Sequence, residues 1–503
     1  MGRSLDDVHV GWEPEQVSEW FLPAVERPWT SGNLVIPHVH GADYFARVLD
    51  VIGSTRSGDR IFLTDWRGDS DERMTKDGPT VADLLSSAGG RGVEVRALLW
   101  RSHSDKGRLN AQENNHLGAI INKSGGEALL DERVRRGGSH HQKLLVVRRK
   151  GRREDDVAFI GGIDLSHGRR DDATHLGDPQ APPLDERYGP TPPWHDAMAE
   201  IRGPAVSHVL DTFTERWEDP TPLDHRNPYR AVLHRLARMP RHPEHLPERW
   251  EPPPDAGPHQ VQILRTYPAK RPAYPFAPEG ERSIARAYAH AFTKARRLVY
   301  IEDQYFWSEV VAATLADALR REPELHVIAV VPRYPEEDNR ISGPPMMFGQ
   351  RLAWDLLREA GGDRFAMFDL ENAAGTPIYV HAKVCVVDDQ WMTIGSDNLN
   401  LRSWTHDSEL TCAIVDPDGV LPRSLRTSLW AEHLGLPQND SRLSDLNGAP
   451  TLWANRVGAP GSRIRRHEPT ALSTRTRLWA GPVYRALYDP DGRPRKLRGT
   501  VRF

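Results

Sequence analysis

Two short segments of the sequence each place a histidine and a lysine two positions apart in front of an apolar run. His141 and Lys143 precede LLVV, and His381 and Lys383 precede VCVV. Alternate side chains of a strand share a face, so each imidazole is expected to emerge beside an ammonium group. Polar groups at one end of a buried strand are costly without partners, and a ligand is a suitable partner. One such pair is a weak signal, whereas two similar pairs predict a catalytic site.

These segments suit a displacement reaction at a phosphodiester. Such a reaction is catalysed mainly by positioning and by neutralising the phosphate oxygens, which Lys143 and Lys383 can do as point charges. One histidine can attack phosphorus and form a covalent intermediate, while the other protonates the leaving oxygen and then activates water or an alcohol. One imidazole must then begin neutral and the other protonated. This chemistry requires no metal ion or other cofactor.

Further polar residues and glycines lie beside the two segments. Asn398 can donate its amide to a phosphate oxygen, and Gly162 lets the backbone approach closely. Each imidazole needs an acceptor on its other nitrogen, for which Glu409 and Asp171 are the candidates, although either could instead cap a helix or pair with an arginine. The residues expected to contact the substrate are His140, Gly162, Asp164, Trp194, Tyr305, Trp307 and Ser396.

The helices and strands that must position these residues are predicted to occur in the same order in both halves of the chain. In each half a helical pattern leads into an apolar run (IFLTDW, LVYIEDQYF), and a second helix and strand follow (VADLLSS and VEVRALLW, VVAATLADALRR and LHVIAVVP). Such alternation implies right-handed crossovers and a mainly parallel sheet. We therefore predict an α/β fold of two similar α-β-α lobes with mainly parallel central sheets and the active site between the lobes.

Composition divides the chain further. The predicted segments are a first lobe at 1–218, a proline- and arginine-rich linker at 219–274, a second lobe at 275–440 and an arginine-rich extension at 441–503. The linker shows little periodicity and is expected to lie on the surface, at the rim of the active site. The extension carries Trp479, Tyr484 and Tyr488, a composition compatible with an anionic lipid surface or with a solvated segment packed on the second lobe.

Overall composition limits the possible classes of protein. The 503 residues, of which 27% are charged, carry a net charge of only -4, which is typical of a soluble globular protein and argues against a nucleic-acid partner. Cys385 and Cys412 lie in strand-like apolar runs and are expected to be buried thiols. The sequence shows neither a signal peptide nor a membrane-spanning segment. We expect a cytoplasmic monomer that touches membranes from the side, with export by another route as the alternative.

The two histidine segments resemble the phospholipase D superfamily, whose H-x-K-x(4)-D motif occurs twice in one active site. The second copy runs from His381 to Asp388 in full, so Asp388 is counted among the predicted catalytic residues, and it is followed by GSDN, similar to the G-S-x-N of the family. The first copy has Arg148 at the acidic position, so its acid is either displaced to Asp155 or Asp156 or absent. Because that acid is usually a structural support, activity is expected to survive.

Longer stretches look like the eukaryotic-type phospholipases D, namely GGSHHQK, FIGGIDLSHGRRD, PWHDAMAEIRGPAV and YIEDQYFWS. The resemblance implies hydrolysis of phosphatidylcholine or related lipids to phosphatidic acid, with head-group exchange in many members. It also implies His141 as nucleophile and His381 as general acid, an order that two similar sites allow to be reversed. Aromatic residues beside the motifs, including Phe306 and Trp404, either line the entrance or pack in the core.

Other functions of the same scaffold stay open at this point. A phosphatidyltransferase of the phosphatidylserine or cardiolipin synthase type, or a phosphodiesterase for a smaller metabolite, is the second choice. A nuclease is third, because nucleases of this superfamily are typically shorter and often more basic. A module that only binds phosphate is disfavoured, since both histidine and lysine pairs are present. The expected partners are a phospholipid at a membrane surface and water or an alcohol, with no nucleic acid.

Overall fold

The computed structural model describes residues 19–23, 28–102, 111–223, 232, 235–236, 243–246, 250–336, 342–416, 418–500 and 502–503. Its strands are β1 Trp29–Val39, β2 Arg60–Asp65, β3 Glu94–Trp100, β4 Glu127–Asp131, β5 Leu144–Arg148, β6 Val157–Gly161, β7 Trp194–His195, β8 Ala197–Arg202, β9 His259–Tyr267, β10 Glu281–Arg282, β11 Leu298–Glu302, β12 His326–Val330, β13 Phe365–Glu371, β14 Pro377–Val380, β15 Val384–Val387, β16 Trp391–Gly395, β17 Glu409–Val415 and β18 Ile464–Arg466. Its helices are α1 Gly41–Gly53, α2 Val81–Gly90, α3 Ala111–Lys123, α4 Ala205–Trp217, α5 Ser283–Lys294, α6 Glu309–Arg321, α7 Gly343–Gly361, α8 Leu401–Thr405, α9 Val420–Leu434, α10 Ala449–Arg456 and α11 Thr474–Val483.

Two sheets of the same topology confirm the predicted duplication. The strand order is β4-β3-β2-β5-β6-β8-β1 in the first lobe. It is β13-β12-β11-β15-β16-β17-β9 in the second lobe, and β1 pairs with β9 where the lobes meet. Apart from the parallel pair β7-β14, parallel pairing is confined to the three strands that helices connect in each lobe, because a parallel crossover needs a long connection. The remaining strands are antiparallel, with β5-β6 and β15-β16 joined as hairpins.

Three apolar clusters form the core. Successive residues of β2 alternate between two of them: Ile61 and Leu63 pack with α1, α2 and α3, whereas Phe62 joins a central cluster. The central cluster also contains residues of β15, α4 and α9, so both lobes share it. Cys385 and Cys412 are buried and free, as predicted. In the part of the chain described above, no helix has the length and hydropathy needed to cross a bilayer.

Strand β9 lies inside the segment predicted as an irregular linker. It pairs with β17 on one side and with β1 on the other. The prediction for this stretch was wrong, because a strand buried from both sides need not show a regular alternation of apolar and polar residues. The C-terminal extension also joins the second lobe: β18 pairs with β13, and Ala480 and Tyr484 pack against Phe348 of α7.

Candidate active site

The two histidine segments meet at one cavity between the lobes. His141 and His381 both line this cavity, whose volume is about 410 Å³. The backbone N–H of His141 donates to the carbonyl of Ser408 at 2.9 Å, and that of His381 donates to the carbonyl of His195 at 2.7 Å. Because Ser408 belongs to the second lobe and His195 to the first, each histidine is held by the opposite lobe.

Each imidazole is also oriented by a carboxylate from the opposite lobe. Nδ1 of His141 lies 2.9 Å from Oε2 of Glu409, and Nδ1 of His381 lies 2.6 Å from Oδ2 of Asp196. These contacts occupy Nδ1 and leave Nε2 of both rings for chemistry in the cavity. Glu409 therefore has the position predicted for an orienting carboxylate. Asp171 does not, and the prediction of an orienting role for it was wrong.

Asp171 instead holds the loop that leads to β7. Its carboxylate accepts hydrogen bonds from the N–H groups of Trp194 at 2.8 Å and Gly177 at 3.1 Å. The residue that the sequence prediction missed is Asp196, which directly precedes β8, whereas Glu409 begins β17. The pairs β6-β8 and β16-β17 have the same register, so Asp196 and Glu409 occupy equivalent positions in the two lobes. A residue-by-residue alignment of the two halves would have found Asp196.

The two predicted lysines are buried beside the histidines. Nζ of Lys143 donates to the carbonyl of His141 at 3.0 Å and lies 3.5 Å from Oδ1 of Asp164. Nζ of Lys383 donates to the carbonyl of His381 in the same way. Burial lowers the pKa of Lys383 to about 8, so it is still mostly charged at neutral pH. Both ammonium groups thus lie directly beside the histidines, although the lysines, 1% and 2% exposed, do not themselves line the cavity.

The electrostatic environment keeps both imidazoles neutral. Burial lowers the pKa of His141 and of His381 well below the usual value, and Lys143 and Lys383 each lower both pKa values further. Each histidine therefore feels the ammonium group of the other lobe, as expected for a single site. The predicted mechanism needs one imidazolium, and the charge of a bound phosphodiester would favour it by raising the pKa of the nearby ring.

The buried carboxylates of the site also depart from their usual protonation. Burial, together with the charge of Asp407, raises the pKa of Glu409 to about 8. Burial disfavours the charged form of Asp164 too, but Lys143 and a hydrogen bond with Asp65 hold its pKa at about 2. Asp164 is therefore the permanently charged carboxylate beside Lys143.

Several of the predicted substrate-contacting residues line the cavity. These are Asp164, Trp194, Tyr305, Trp307 and Asn398. Asp164 and Asn398 lie three residues after the glycines that end β6 and β16, so they are equivalents in the two lobes. The rings of Tyr305 and Trp307 stack with their centroids 4.0 Å apart, and the ring of Trp194 lies 4.8 Å from that of His381. Phe306 and Trp404 pack in the core of the second lobe instead.

Three other predicted substrate contacts lie behind the cavity. Ser396 donates its hydroxyl to Oε2 of Glu409 at 2.6 Å and so positions that carboxylate. Gly162 lies against Asp196, where an added Cβ would come 2.1 Å from Oδ1. His140 is only 1% exposed and does not line the cavity. The prediction of substrate contact was wrong for these residues, because none of the three lines the cavity.

Asp388 is a structural residue and not a catalytic one. It lies at the opposite end of β15 from His381, and its carboxylate accepts the backbone N–H groups of residues 296–298 at 2.7–2.9 Å. These bonds fix the turn that enters β11. The prediction of a catalytic role for Asp388 was therefore wrong, whereas its description as a support agrees with the structure.

The first lobe makes the equivalent hydrogen-bonded connection between the corresponding two strands, but with the carboxylate before the start of β2 and the N–H group after β5. Asp59, just before β2, accepts the backbone N–H of Lys150 beyond β5 at 2.9 Å. Asp156 ion-pairs with Arg148 at 3.1 Å, while Asp155 is half exposed at the surface. Asp59 thus takes the structural role of the acid that is missing from the first motif. The sequence had suggested Asp155 or Asp156 for this role, and neither has it.

Other cavity residues were not predicted. The guanidinium of Arg169 lies 3.9 Å above the ring of Trp194, and the ring of Trp66 lies 6.0 Å from that of His141. Leu487 and Tyr488 of the C-terminal extension also line the cavity. Arg169 belongs to the GRRD stretch noted in the sequence, but no local signal marks the contribution of the extension.

Comparison with known proteins identifies the family. The model of the family described as "Phospholipase D" matches residues 61–318, about half of the chain, and that described as "Cardiolipin synthase, PLD-like domain" matches residues 288–422. The chain belongs to the phospholipase D superfamily. The sequence resemblance to this superfamily is thereby confirmed.

Three of the similar proteins are plant phospholipases D of greater length. "Phospholipase D alpha 1" of Ricinus communis is 25% identical, over 84% of this chain and 67% of that protein. "Phospholipase D alpha 2" of Oryza sativa subsp. japonica is 27% identical, over 69% of this chain and 52% of that protein. "Phospholipase D beta 2" of Arabidopsis thaliana is 28% identical, over 56% of this chain and 41% of that protein. The chain thus spans between 41% and 67% of the length of these relatives.

A solved structure shares the fold. The phosphatidylserine synthase of Haemophilus influenzae Rd KW20 has a TM-score of 0.56 and 14% sequence identity, over 94% of this chain and 96% of that chain. At this identity the likeness shows the duplicated α/β architecture and leaves the substrate to be argued from the site.

Proposed function

We propose that this protein is a phospholipase D that hydrolyses the distal phosphodiester bond of glycerophospholipids such as phosphatidylcholine, giving phosphatidic acid and a head-group alcohol. The observation that carries the proposal is the crossed pairing of His141 with Glu409 and of His381 with Asp196. It leaves two Nε2 atoms from opposite lobes in one cavity, with a buried ammonium group beside each histidine. The plant relatives named phospholipase D support a lipid substrate.

The proposed reaction has two displacements at phosphorus. In the first, Nε2 of His141 attacks phosphorus, and the bond to the head-group oxygen breaks while His381 donates a proton to that oxygen. Lys143 and Lys383 neutralise the non-bridging oxygens in both steps. In the second, neutral His381 accepts a proton from water, whose oxygen attacks phosphorus and releases His141. A primary alcohol in place of water gives a phosphatidylalcohol.

Exposed apolar side chains of the C-terminal extension support action at a lipid surface. Leu478, Trp479 and Leu487, which we name the C-terminal apolar surface, are 74%, 40% and 64% exposed. Leu487 itself lines the cavity. Arg475 and Arg477 flank this surface on α11 and are also exposed. Apolar and basic side chains together are typical of a surface that enters the head-group region of an anionic membrane.

A phosphatidyltransferase is the second candidate. The match of residues 288–422 to the "Cardiolipin synthase, PLD-like domain" model favours it. Chemically the two activities differ only in the acceptor that resolves the phosphatidyl-histidine, because water gives hydrolysis and a lipid or small alcohol gives transfer. The residues around the cavity suit both reactions equally, so the reaction products must be measured to distinguish hydrolysis from transfer.

The products from three substrates separate the candidates. Vesicles of phosphatidylcholine should give phosphatidic acid, and addition of 1-butanol should divert product to phosphatidylbutanol, with neither formed by His141→Ala. Conversion of phosphatidylglycerol to cardiolipin without phosphatidic acid would establish the transferase instead. Cleavage of a DNA oligonucleotide without turnover of any lipid would overturn both proposals.

A further inference from the structure

Behind β7, four side chains bring nitrogen and oxygen atoms together at one point, and we name them the histidine cluster: His40, His175, His195 and Glu432. One possible ligand atom from each lies within 4.8 Å of all the others. The three histidines are 5%, 0% and 0% exposed, and none of the four lines the catalytic cavity. His40, His175 and His195 belong to the first lobe, and Glu432 belongs to α9 of the second lobe.

The hydrogen bonds of His175 leave a conflict of lone pairs. Its Nδ1 lies 3.0 Å from the carbonyl oxygen of Trp194, which can only accept, so Nδ1 carries the proton. In a neutral ring Nε2 is then bare, yet it lies 2.9 Å from Oε1 of Glu432. Two lone pairs at this distance repel unless a proton or a cation lies between them.

Of the other two histidines, His195 shows an outer nitrogen held by an acceptor, whereas Nδ1 of His40 has no hydrogen-bond partner among the described residues. Nε2 of His195 lies 2.7 Å from Oε2 of Glu302, while its Nδ1 is buried without a hydrogen-bond partner in the described part of the chain. Nε2 of His40 lies 2.9 Å from Oε2 of Glu432. A histidine whose outer nitrogen donates to a carboxylate or carbonyl, with the inner nitrogen bare, is the usual arrangement around a bound metal.

The backbone is strained at two members of the cluster. His40 and His175 adopt φ of 75° and 52°, in the left-handed region that non-glycine residues rarely enter. Such conformations persist only where the surroundings over-determine them, and they concentrate at functional sites. The strain is independent of the hydrogen bonds and marks the same residues.

We infer that His40, His175, His195 and Glu432 form a site for a divalent transition metal of the Zn²⁺ type. Three imidazoles and one carboxylate are a donor set that suits tetrahedral Zn²⁺, whereas Ca²⁺ and Mg²⁺ prefer oxygen donors. Bonds of about 2.0–2.1 Å would place donor atoms about 3.4 Å apart. The contacts of 2.9 Å and the outer limit of 4.8 Å bracket that spacing, so small rotations of the side chains suffice.

One oxygen of Glu432 is already in use. Nη1 of Arg463 donates to Oε1 at 2.8 Å, so Oε2 is the ligand oxygen and the arginine orients the carboxylate. The site joins the two lobes immediately beside the active centre, because the carbonyl of His195 accepts the N–H of His381 and the next residue is Asp196. The metal would hold β7 in place and so position the carboxylate that orients His381.

Metal content of the protein tests this inference independently of lipid turnover. The full chain, prepared with Zn²⁺ and without a polyhistidine tag, should retain one zinc ion per chain after gel filtration, measured by mass spectrometry of the elements. His175→Asn and Glu432→Gln should lose that ion. His245→Asn should retain it, because the side chain of His245 is 92% exposed and lies outside the cluster.

A second measurement uses only the wild-type chain, in case the variants fold poorly. After removal of metal by a strong chelator, ZnCl₂ should raise Tm until one equivalent has been added, whereas MgCl₂ and CaCl₂ should leave Tm unchanged. A wild-type chain that retains no zinc, and whose Tm does not respond to it, would overturn the inference. The cluster would then be a network of hydrogen bonds in which a proton lies between His175 and Glu432, and the proposed phospholipase activity would be unaffected.

Discussion

Replacement of Asp196 by asparagine should abolish most of the activity without changing the fold. Oδ2 of Asp196 lies 2.6 Å from Nδ1 of His381, which puts the centres of a carboxylate and an imidazolium about 4 Å apart. At the effective polarity of a protein site, that separation corresponds to an attraction of about 4 kcal/mol. Since 1.36 kcal/mol is a factor of ten in rate, we expect kcat for phosphatidylcholine to fall by about 10³-fold in Asp196→Asn.

The leaving group of the substrate shows which step is affected. If His381 is the general acid, a lipid with a p-nitrophenyl head group needs no proton in the first step. Asp196→Asn should then still release about one equivalent of p-nitrophenol per chain in a rapid burst, followed by slow turnover. Glu409→Gln, in contrast, should lose both the burst and the later turnover, because Glu409 orients the proposed nucleophile His141.

Asp171→Asn is the matched control. Asp171 is equally buried but contacts neither imidazole, so its replacement should lower Tm and leave kcat of the folded protein within about tenfold of wild type. If Asp196→Asn keeps more than about a tenth of the wild-type kcat, the orienting role of Asp196 is refuted. A burst that survives in Glu409→Gln and disappears in Asp196→Asn would reverse the roles of the two histidines.

Three further predictions concern charge, membrane contact and stability. The phosphate-binding form of Lys383 is the charged one, so with its pKa lowered to about 8 by burial, kcat/KM should fall as pH rises through about 8, and Lys383→Arg should move this fall to higher pH. Replacing Leu478 and Trp479 together by serine should weaken binding to anionic vesicles at least about tenfold in a sedimentation assay, because each buried apolar side chain contributes about 1.5–3 kcal/mol. Hydrolysis of a monomeric short-chain lipid should be unchanged, as should vesicle binding by Val420→Ser, which removes a side chain that is 61% exposed on α9. Asp388→Ala should lower the free energy of unfolding in urea by about 1–3 kcal/mol, since it leaves three backbone N–H groups without their acceptor, and should leave the folded protein active.

The sequence could predict those features that are local and repeated. His141, Lys143, His381 and Lys383 stand at fixed spacing before buried strands, and the helix and strand patterns around them occur twice, so the lobes and their shared site follow. Contacts across the lobes have no such signature. Asp171 is closer in sequence to the first motif than Asp196 or Glu409, the carboxylates that do contact the histidines. Closeness in sequence was therefore the wrong guide.

Other residues escaped prediction because their role depends on three-dimensional packing. His140, Gly162 and Ser396 lie close to motif residues in the sequence, yet none of them lines the cavity: Ser396 bonds to Glu409, and Gly162 lies against Asp196. The C-terminal extension reaches the cavity through Leu487 and Tyr488, although nothing in its composition ties it to the motifs.

The crossed pairing of histidines and carboxylates makes each lobe chemically incomplete. His141 lies in the first lobe and its carboxylate Glu409 in the second, while His381 lies in the second lobe and its carboxylate Asp196 in the first. An imidazole without its carboxylate is free to take either tautomer and to rotate, so neither lobe alone presents an oriented Nε2. Docking of the lobes therefore does more than bury the central apolar cluster, because the same contact creates both oriented histidines at once. This dependence explains why buried polar side chains are retained at an interface where apolar packing would be less costly.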